Sequence, residues 1–224
     1  MKYYLLMSLL FLCCCKTKAQ PDPTALLSEV ITKFQNKTGT VSDILTDTKF
    51  ISIHPLEEFR ELIKSNATPG ILKITAPGEP GKRIRVLGTV KDKEGKPIPD
   101  ALVYLYQTDS KGWYAADAPH VLSSGSDVGH ARLFGYVRTD ANGSFELHTI
   151  KPSGYPQSDL PAHIHVHVWG KGYRAFVNEF LFDDDDRLVG AIRQQSQQNH
   201  FMIAMPEKAT APFEQQFNYN ITLQ

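Results

Sequence analysis

Gly154-Tyr155-Pro156 stands shortly before Pro161-Ala162-His163-Ile164-His165, so a phenol and two alternating imidazoles fall close together along the chain. Side chains alternate between faces in an extended strand, so His163 and His165 share one face, with ring nitrogens close enough to hold one ion. A deprotonated phenol is a hard anionic oxygen donor that suits iron(III) better than zinc. A His-x-His pair in a strand also occurs exposed or hydrogen-bonded with no metal, so these residues alone leave both readings open. His167 continues the alternation, but a third ring on the strand lies roughly 13 Å from the first by strand rise, which favours a supporting role over a third ligand. No glutamate stands in helical spacing with the histidines, which argues against a zinc hydrolase.

The elements that must position these residues are mostly strands. From Ile84 onward the chain reads as short alternating runs between turn clusters: 84–90, 101–107, 135–139, 144–150, 162–169, 176–182, 201–205 and 217–223. That succession predicts an all-β protein, a β-sandwich. Asn142-Gly143 suits a tight hairpin between 135–139 and 144–150. In the last run Phe217, Tyr219, Ile221 and Leu223 fall on one face, as expected of a strand closing one sheet over the core. Residues 107–129 break the rhythm and form an expected long loop. Its Gly112-Trp113-Tyr114 either dips into a site or pins the loop to the sandwich.

Ahead of the strands, Leu26, Leu27, Val30, Ile31 and Phe34 recur at helical spacing after a candidate cap at Thr24. Leu56, Phe59, Leu62 and Ile63 repeat the pattern after Pro55, and Pro77-Gly78-Glu79-Pro80-Gly81 then punctuates the chain. Three segments follow: a leader over 1–19, a helical N-terminal extension and linker over 20–81, and the β-sandwich domain over 82–224. With 24 Lys plus Arg against 24 Asp plus Glu, no net field draws this chain to nucleic acid or anionic lipid, so a small-molecule partner is expected.

Met1-Lys2-Tyr3-Tyr4 and the apolar run 5–12 read as an export signal too short to span a membrane. The chain is therefore expected outside the cytoplasm, as a periplasmic, envelope-anchored or secreted protein. All three cysteines, Cys13, Cys14 and Cys15, sit at the end of that leader, so the mature domain has no disulfide and no thiolate ligand. Cleavage after Ala19 and lipid attachment at Cys15, the only membrane anchor expected, remain alternatives. The acidic run Asp183 to Asp186 lacks the spaced oxygens of a calcium loop and reads as a solvated turn.

Taken together, Gly95-Lys96-Pro97-Ile98-Pro99-Asp100-Ala101, Gly112-Trp113-Tyr114, Lys151-Pro152-x-Gly154-Tyr155-Pro156 and Pro161-Ala162-His163-Ile164-His165 resemble the intradiol ring-cleavage dioxygenases. The first run is also common in prealbumin-like sandwiches; the last two are more specific. The resemblance implies one iron(III) per chain, bound by Tyr114, Tyr155, His163 and His165. It implies a catechol-type aromatic diol and O2 as substrates, with cleavage between the two hydroxylated carbons to a muconate-type diacid. Tyr114, on its loop, is the candidate for the tyrosine that leaves the metal and acts as base; Tyr155 is the candidate for the fixed phenolate. His120 and His130 are weaker candidates in or near the loop.

This chain departs from the family pattern at two substrate-facing positions. Leu160 stands where relatives carry an Arg, and Glu179 where many carry Gln. An aliphatic chain cannot offset charge on a bound ring, and one lost preorganised donor commonly costs about a hundredfold in rate. Arg132, Arg138 and Arg174 are candidate substitutes, and a carboxylate at 179 would repel an acidic substrate. The alternative to an enzyme is a prealbumin-like binding or structural module at the cell envelope that has lost turnover. Oligomeric state is not legible from the sequence.

Overall fold

The computed structural model describes residues 21–115 and 131–224. The expected leader with Cys15, and the loop histidines His120 and His130, lie outside the described residues. Ten strands are present: β1 Ile71–Lys73, β2 Arg83–Lys91, β3 Leu102–Gln107, β4 Leu133–Arg138, β5 Ser144–Ile150, β6 His163–Trp169, β7 Phe176–Phe182, β8 Met202–Ala204, β9 Glu207–Lys208 and β10 Gln215–Thr222. They form two five-stranded sheets in the orders β1-β5-β2-β10-β9 and β4-β3-β6-β7-β8. Both sheets are mixed: β10 runs parallel to β2, β1 to β5 and β8 to β7.

Alternation along the strands places the core between the sheets. Ile84, Val86, Phe145, Leu147, Phe217, Tyr219 and Ile221 come from the first sheet, and Val103, Leu105, Ile164, Val166, Val168, Phe180 and Phe182 from the second; all are buried. Because Ile164, Val166 and Val168 point inward, His163, His165 and His167 must occupy the outer face of the second sheet. The candidate site therefore lies on an outside surface and needs other segments to cover it.

The cover comes partly from helices. The N-terminal segment folds as α1 Pro23–Gln35, α2 Val41–Thr46, a 3-10 turn over Thr48–Ile53 and α3 Glu57–Ser65. Asp22, not Thr24, caps α1: its carboxylate accepts the Thr24 N–H at 3.0 Å, which leaves Thr24 inside the helix. Phe59 of α3 packs edge-on against Phe134 of β4, ring centroids 6.3 Å apart, so the helical layer seats on the outer face of the second sheet. Arg60 is buried there. Its guanidinium lies 3.7 Å from the Phe134 ring centroid and donates to the Tyr104 hydroxyl and to the carbonyls of His54 and Ala131.

Among the described residues no helix is long and apolar enough to cross a membrane. One further helix, α4 Gly190–Gln198, sits between β7 and β8, where the sequence reading places a turn at 183–186 and no helix. Its Gln-rich run carries no apolar stripe, so periodicity does not reveal it.

The predicted hairpin at 140–143 is not one. The tight turn forms: Asp140 Oδ1 accepts the N–H groups of Asn142 and Ser144, both at 2.8 Å, and Gly143 takes φ +70°. The strands on either side then part, β4 pairing with β3 in one sheet and β5 with β2 in the other. The Gly143 carbonyl accepts from Val90 of β2 at 2.7 Å, so the turn carries the chain across the sandwich.

His54 is buried between Phe59 and Phe134, with Nδ1–H donating to the Arg132 carbonyl at 2.9 Å. Burial, reinforced by the cations of Arg60 and Arg132, pushes its pKa down to about 4. Between about pH 4 and 6.5 the unfolded chain binds the proton and the folded chain does not, so stability falls as pH drops through that window. The expected loss is about 3 kcal/mol, seen as a falling urea midpoint from pH 7 to pH 4, and His54→Phe should flatten that slope.

Candidate metal centre

Four donor atoms meet at one point on the outer face of the second sheet. Tyr114 Oη lies 2.7 Å from Tyr155 Oη and 2.9 Å from His165 Nε2; Tyr155 Oη lies 3.0 Å from His163 Nε2; the two imidazole Nε2 atoms are 3.1 Å apart. His163 Nδ1–H donates to the Pro161 carbonyl at 2.8 Å, which fixes the tautomer and leaves the Nε2 lone pair free to accept from the Tyr155 hydroxyl at 3.0 Å or to bind a metal. Burial, with some repulsion from His163 and His167, lowers the His165 pKa to about 3, so that ring is a neutral donor. Two phenols and two imidazoles make a mixed O and N set that fits a ferric ion.

Each donor is held by local structure. The His165 ring stacks on Tyr106 of β3 at 4.3 Å and 10° between planes, as expected from their direct pairing across β3 and β6. Tyr114 sits at the end of a tight loop built on Asp109, whose Oδ1 accepts the N–H groups of Lys111 and Trp113 at 2.8 and 3.0 Å. Gly112 takes φ +80°, and a Cβ there would overlap the Gly154 carbonyl, so this glycine lets the two tyrosine-bearing loops touch. The aromatic pair in the loop divides its roles. Tyr114 turns inward and is buried, whereas Trp113 stays half-buried with Lys111 Nζ 5.1 Å over its ring.

Arg187 fastens the Tyr155 loop. Its Nη1 donates to the carbonyls of Tyr155 at 3.0 Å and Leu160 at 3.3 Å, joining both ends of the segment before the histidines. The acidic run beside it is more than a solvated turn. Asp185 accepts from the Ala162 N–H at 3.0 Å and from the Arg187 N–H at 2.8 Å, Asp184 pairs with Lys151 at 2.7 Å, and Asp183 pairs with Arg193 at 2.7 Å. Sequence reading missed this role because the carboxylates meet partners distant along the chain.

A cleft of about 180 Å³ opens beside Tyr155 and His163, and its lining includes Leu160, Glu179, Gln195 and Asn199. Gln195 lies in α4 and Asn199 caps its C-terminus, so the helix hidden from sequence reading forms one side of this cleft. The candidate substitutes for the missing arginine do not line it. Arg132 makes two hydrogen bonds to the Glu79 carboxylate at 2.7 and 2.8 Å, close to Asp109; Arg138 pairs with Asp100 at 3.2 Å; the Arg174 N–H bonds to the Gln224 carbonyl at 2.9 Å.

Glu179 lies directly across from His165 in the β6–β7 register, with its carboxylate 4.0 Å from Nδ1. His163, His165 and Glu179 can present ligand atoms within 4.8 Å of one another. The approach to His165 is from the nitrogen remote from the phenols, so the carboxylate flanks the donor set without closing it. His167 packs edge-on against Tyr104 at 5.7 Å and takes no place among the four donors.

A family model described as dioxygenase matches residues 59–224. Chlorocatechol 1,2-dioxygenase of Rhodococcus opacus is 30% identical over 127 residues, covering 49% of this chain and 47% of that protein. Protocatechuate 3,4-dioxygenase beta chain of Burkholderia cepacia is 33% identical over 121 residues, covering 50% of each. This chain spans about half the length of these two curated relatives. The structure of catechol 1,2-dioxygenase from Acinetobacter sp. ADP1 shares the fold, with a TM-score of 0.57 at 20% identity over 70% of this chain and 57% of that one. With about three quarters of its length matched, the chain belongs to the intradiol ring-cleavage dioxygenase family.

Proposed function

We propose that this chain is a non-haem iron(III) dioxygenase that cleaves a catechol-type ring between its two hydroxylated carbons. The observation that carries this reading is the meeting of Tyr114, Tyr155, His163 and His165 at mutual donor distances of 2.7–3.1 Å. Iron(III) bound there would supply a Lewis acid that withdraws electron density from a chelated catecholate and so prepares its ring for O2. His163 and His165 would hold the metal through Nε2, and Tyr155 would remain as the fixed phenolate because its loop is fastened at both ends. Tyr114, bonded to both Tyr155 and His165, is the residue we assign to take up a proton from the incoming diol at Oη.

The cleft lining offers no arginine or lysine among the described residues, so a ring without a carboxylate fits it better than a carboxylated one. The apolar run after Lys2 supports action outside the cytoplasm.

Colour and oxygen uptake test the reading. Full-length protein produced with iron should be reddish-brown from phenolate-to-iron charge transfer, carry about one iron per chain, and consume O2 with catechol or hydroxyquinol more readily than with protocatechuate. A colourless, iron-free protein that takes up no oxygen would instead favour a binding module that keeps the cleft without the chemistry.

A further inference from the structure

The cleft beside the donors has a charge pattern that ring cleavage does not itself require. Glu179 places a partly buried carboxylate in its wall, 30% exposed, and its only ion-pairing neighbour among the described residues is His165 at 4.0 Å. No arginine or lysine lines the cleft among the described residues, so no side-chain cation there faces that carboxylate. Around it the cleft offers the neutral amides of Gln195 and Asn199 and the half-exposed aliphatic chain of Leu160. An anion partly withdrawn from bulk water, with no cationic side chain in the cleft lining, favours a ligand that brings one. The amide oxygens can accept further N–H bonds, and Leu160 can cover a short methylene arm.

We propose that this cleft selects catechol-type diols whose ring carries a protonated amine on a short alkyl arm, with Glu179 as the residue that recognises the ammonium. The inference rests on the ring-cleavage reading, because the four donors are what anchor the diol. Leu160 then has a positive reason for its place: an arginine there would repel the amine and pair with Glu179 instead. Cationic arms are attracted, neutral arms tolerated and anionic arms repelled.

The test uses iron-loaded, full-length protein under argon. Three catechols with arms of similar length are titrated, 4-(2-aminoethyl)catechol, 4-ethylcatechol and 3,4-dihydroxyphenylacetate, and binding is followed by the visible charge-transfer band and by calorimetry. The amine should bind about tenfold tighter than the ethyl compound, with the acid weakest. Glu179→Gln should bring the amine-to-ethyl ratio within about twofold, and added salt should narrow the ratio in the native protein, which serves if the variant does not fold.

Binding of 4-ethylcatechol as tight as the amine would overturn the charge selection and leave the ring-cleavage reading standing. A tenfold ratio that survives both Glu179→Gln and high salt would overturn the role of Glu179. If none of the three perturbs the band, both readings fall.

Discussion

Purified Tyr155→Phe is expected to lose most of its visible absorption and at least about a hundredfold in ring cleavage while keeping its fold. The lost oxygen lies 2.7 Å from Tyr114 Oη and 3.0 Å from His163 Nε2, so its removal leaves the donor set one anion short. Arg187 ties the carbonyls at 155 and 160, which keeps the loop from bringing another of its own groups to that place. The phenyl ring keeps the packing, so a thermal midpoint close to that of the parent separates this loss from unfolding. Tyr114→Phe should bleach the colour only in part and reduce turnover mainly by removing the proton acceptor. Iron content, absorption and oxygen uptake measured together decide the matter, and unchanged spectra in both variants would show that other groups hold the metal.

Arg60→Met is expected to cost about 3 kcal/mol of stability, seen as a fall of roughly 10 °C in the thermal midpoint. The guanidinium is 8% exposed and donates to the Tyr104 hydroxyl and to the His54 and Ala131 carbonyls. Methionine fills a similar volume but leaves these buried acceptors without their donor, each a charge-assisted bond in the native protein, and it forfeits the contact with the Phe134 ring. Relief from burying a cation offsets part of the loss, which keeps the expected cost moderate. Arg60→Lys should recover little, since one ammonium cannot follow the planar fork to three acceptors. A melt within about 2 °C of the parent would mean the layer is held by its apolar contacts alone.

Local pattern made part of this molecule legible. The alternation in 84–90 and 217–223 marks strands with one face against a continuous core, whereas 101–107 is buried on both faces. The pair His163 and His165 shares a face for the same reason, and its inward neighbours Ile164 and Val166 tell which face is outside. What stayed hidden depends on partners far along the chain. Asn142-Gly143 encodes a tight turn, yet a turn cannot state whether the strands it joins bond to each other or to β3 and β2. The strand Ile71–Lys73 is too short to show a period and exists because β5 offers it an edge. Asp185 read as part of a solvated turn, and Arg187 drew no reading at all, because the N–H and carbonyls they satisfy lie 23 to 32 residues earlier. Glu179 was visible as a departure, but its place opposite His165 needed the register of β6 and β7.

The stacking of His165 on Tyr106, with the clamp of Pro161 on His163, has a thermodynamic corollary. Neither imidazole is free to rotate about its outer torsion, so the loss of rotational entropy that ligation normally exacts has already been met when the chain folds. An arriving cation would find a rigid template and would have only its own hydration shell to shed.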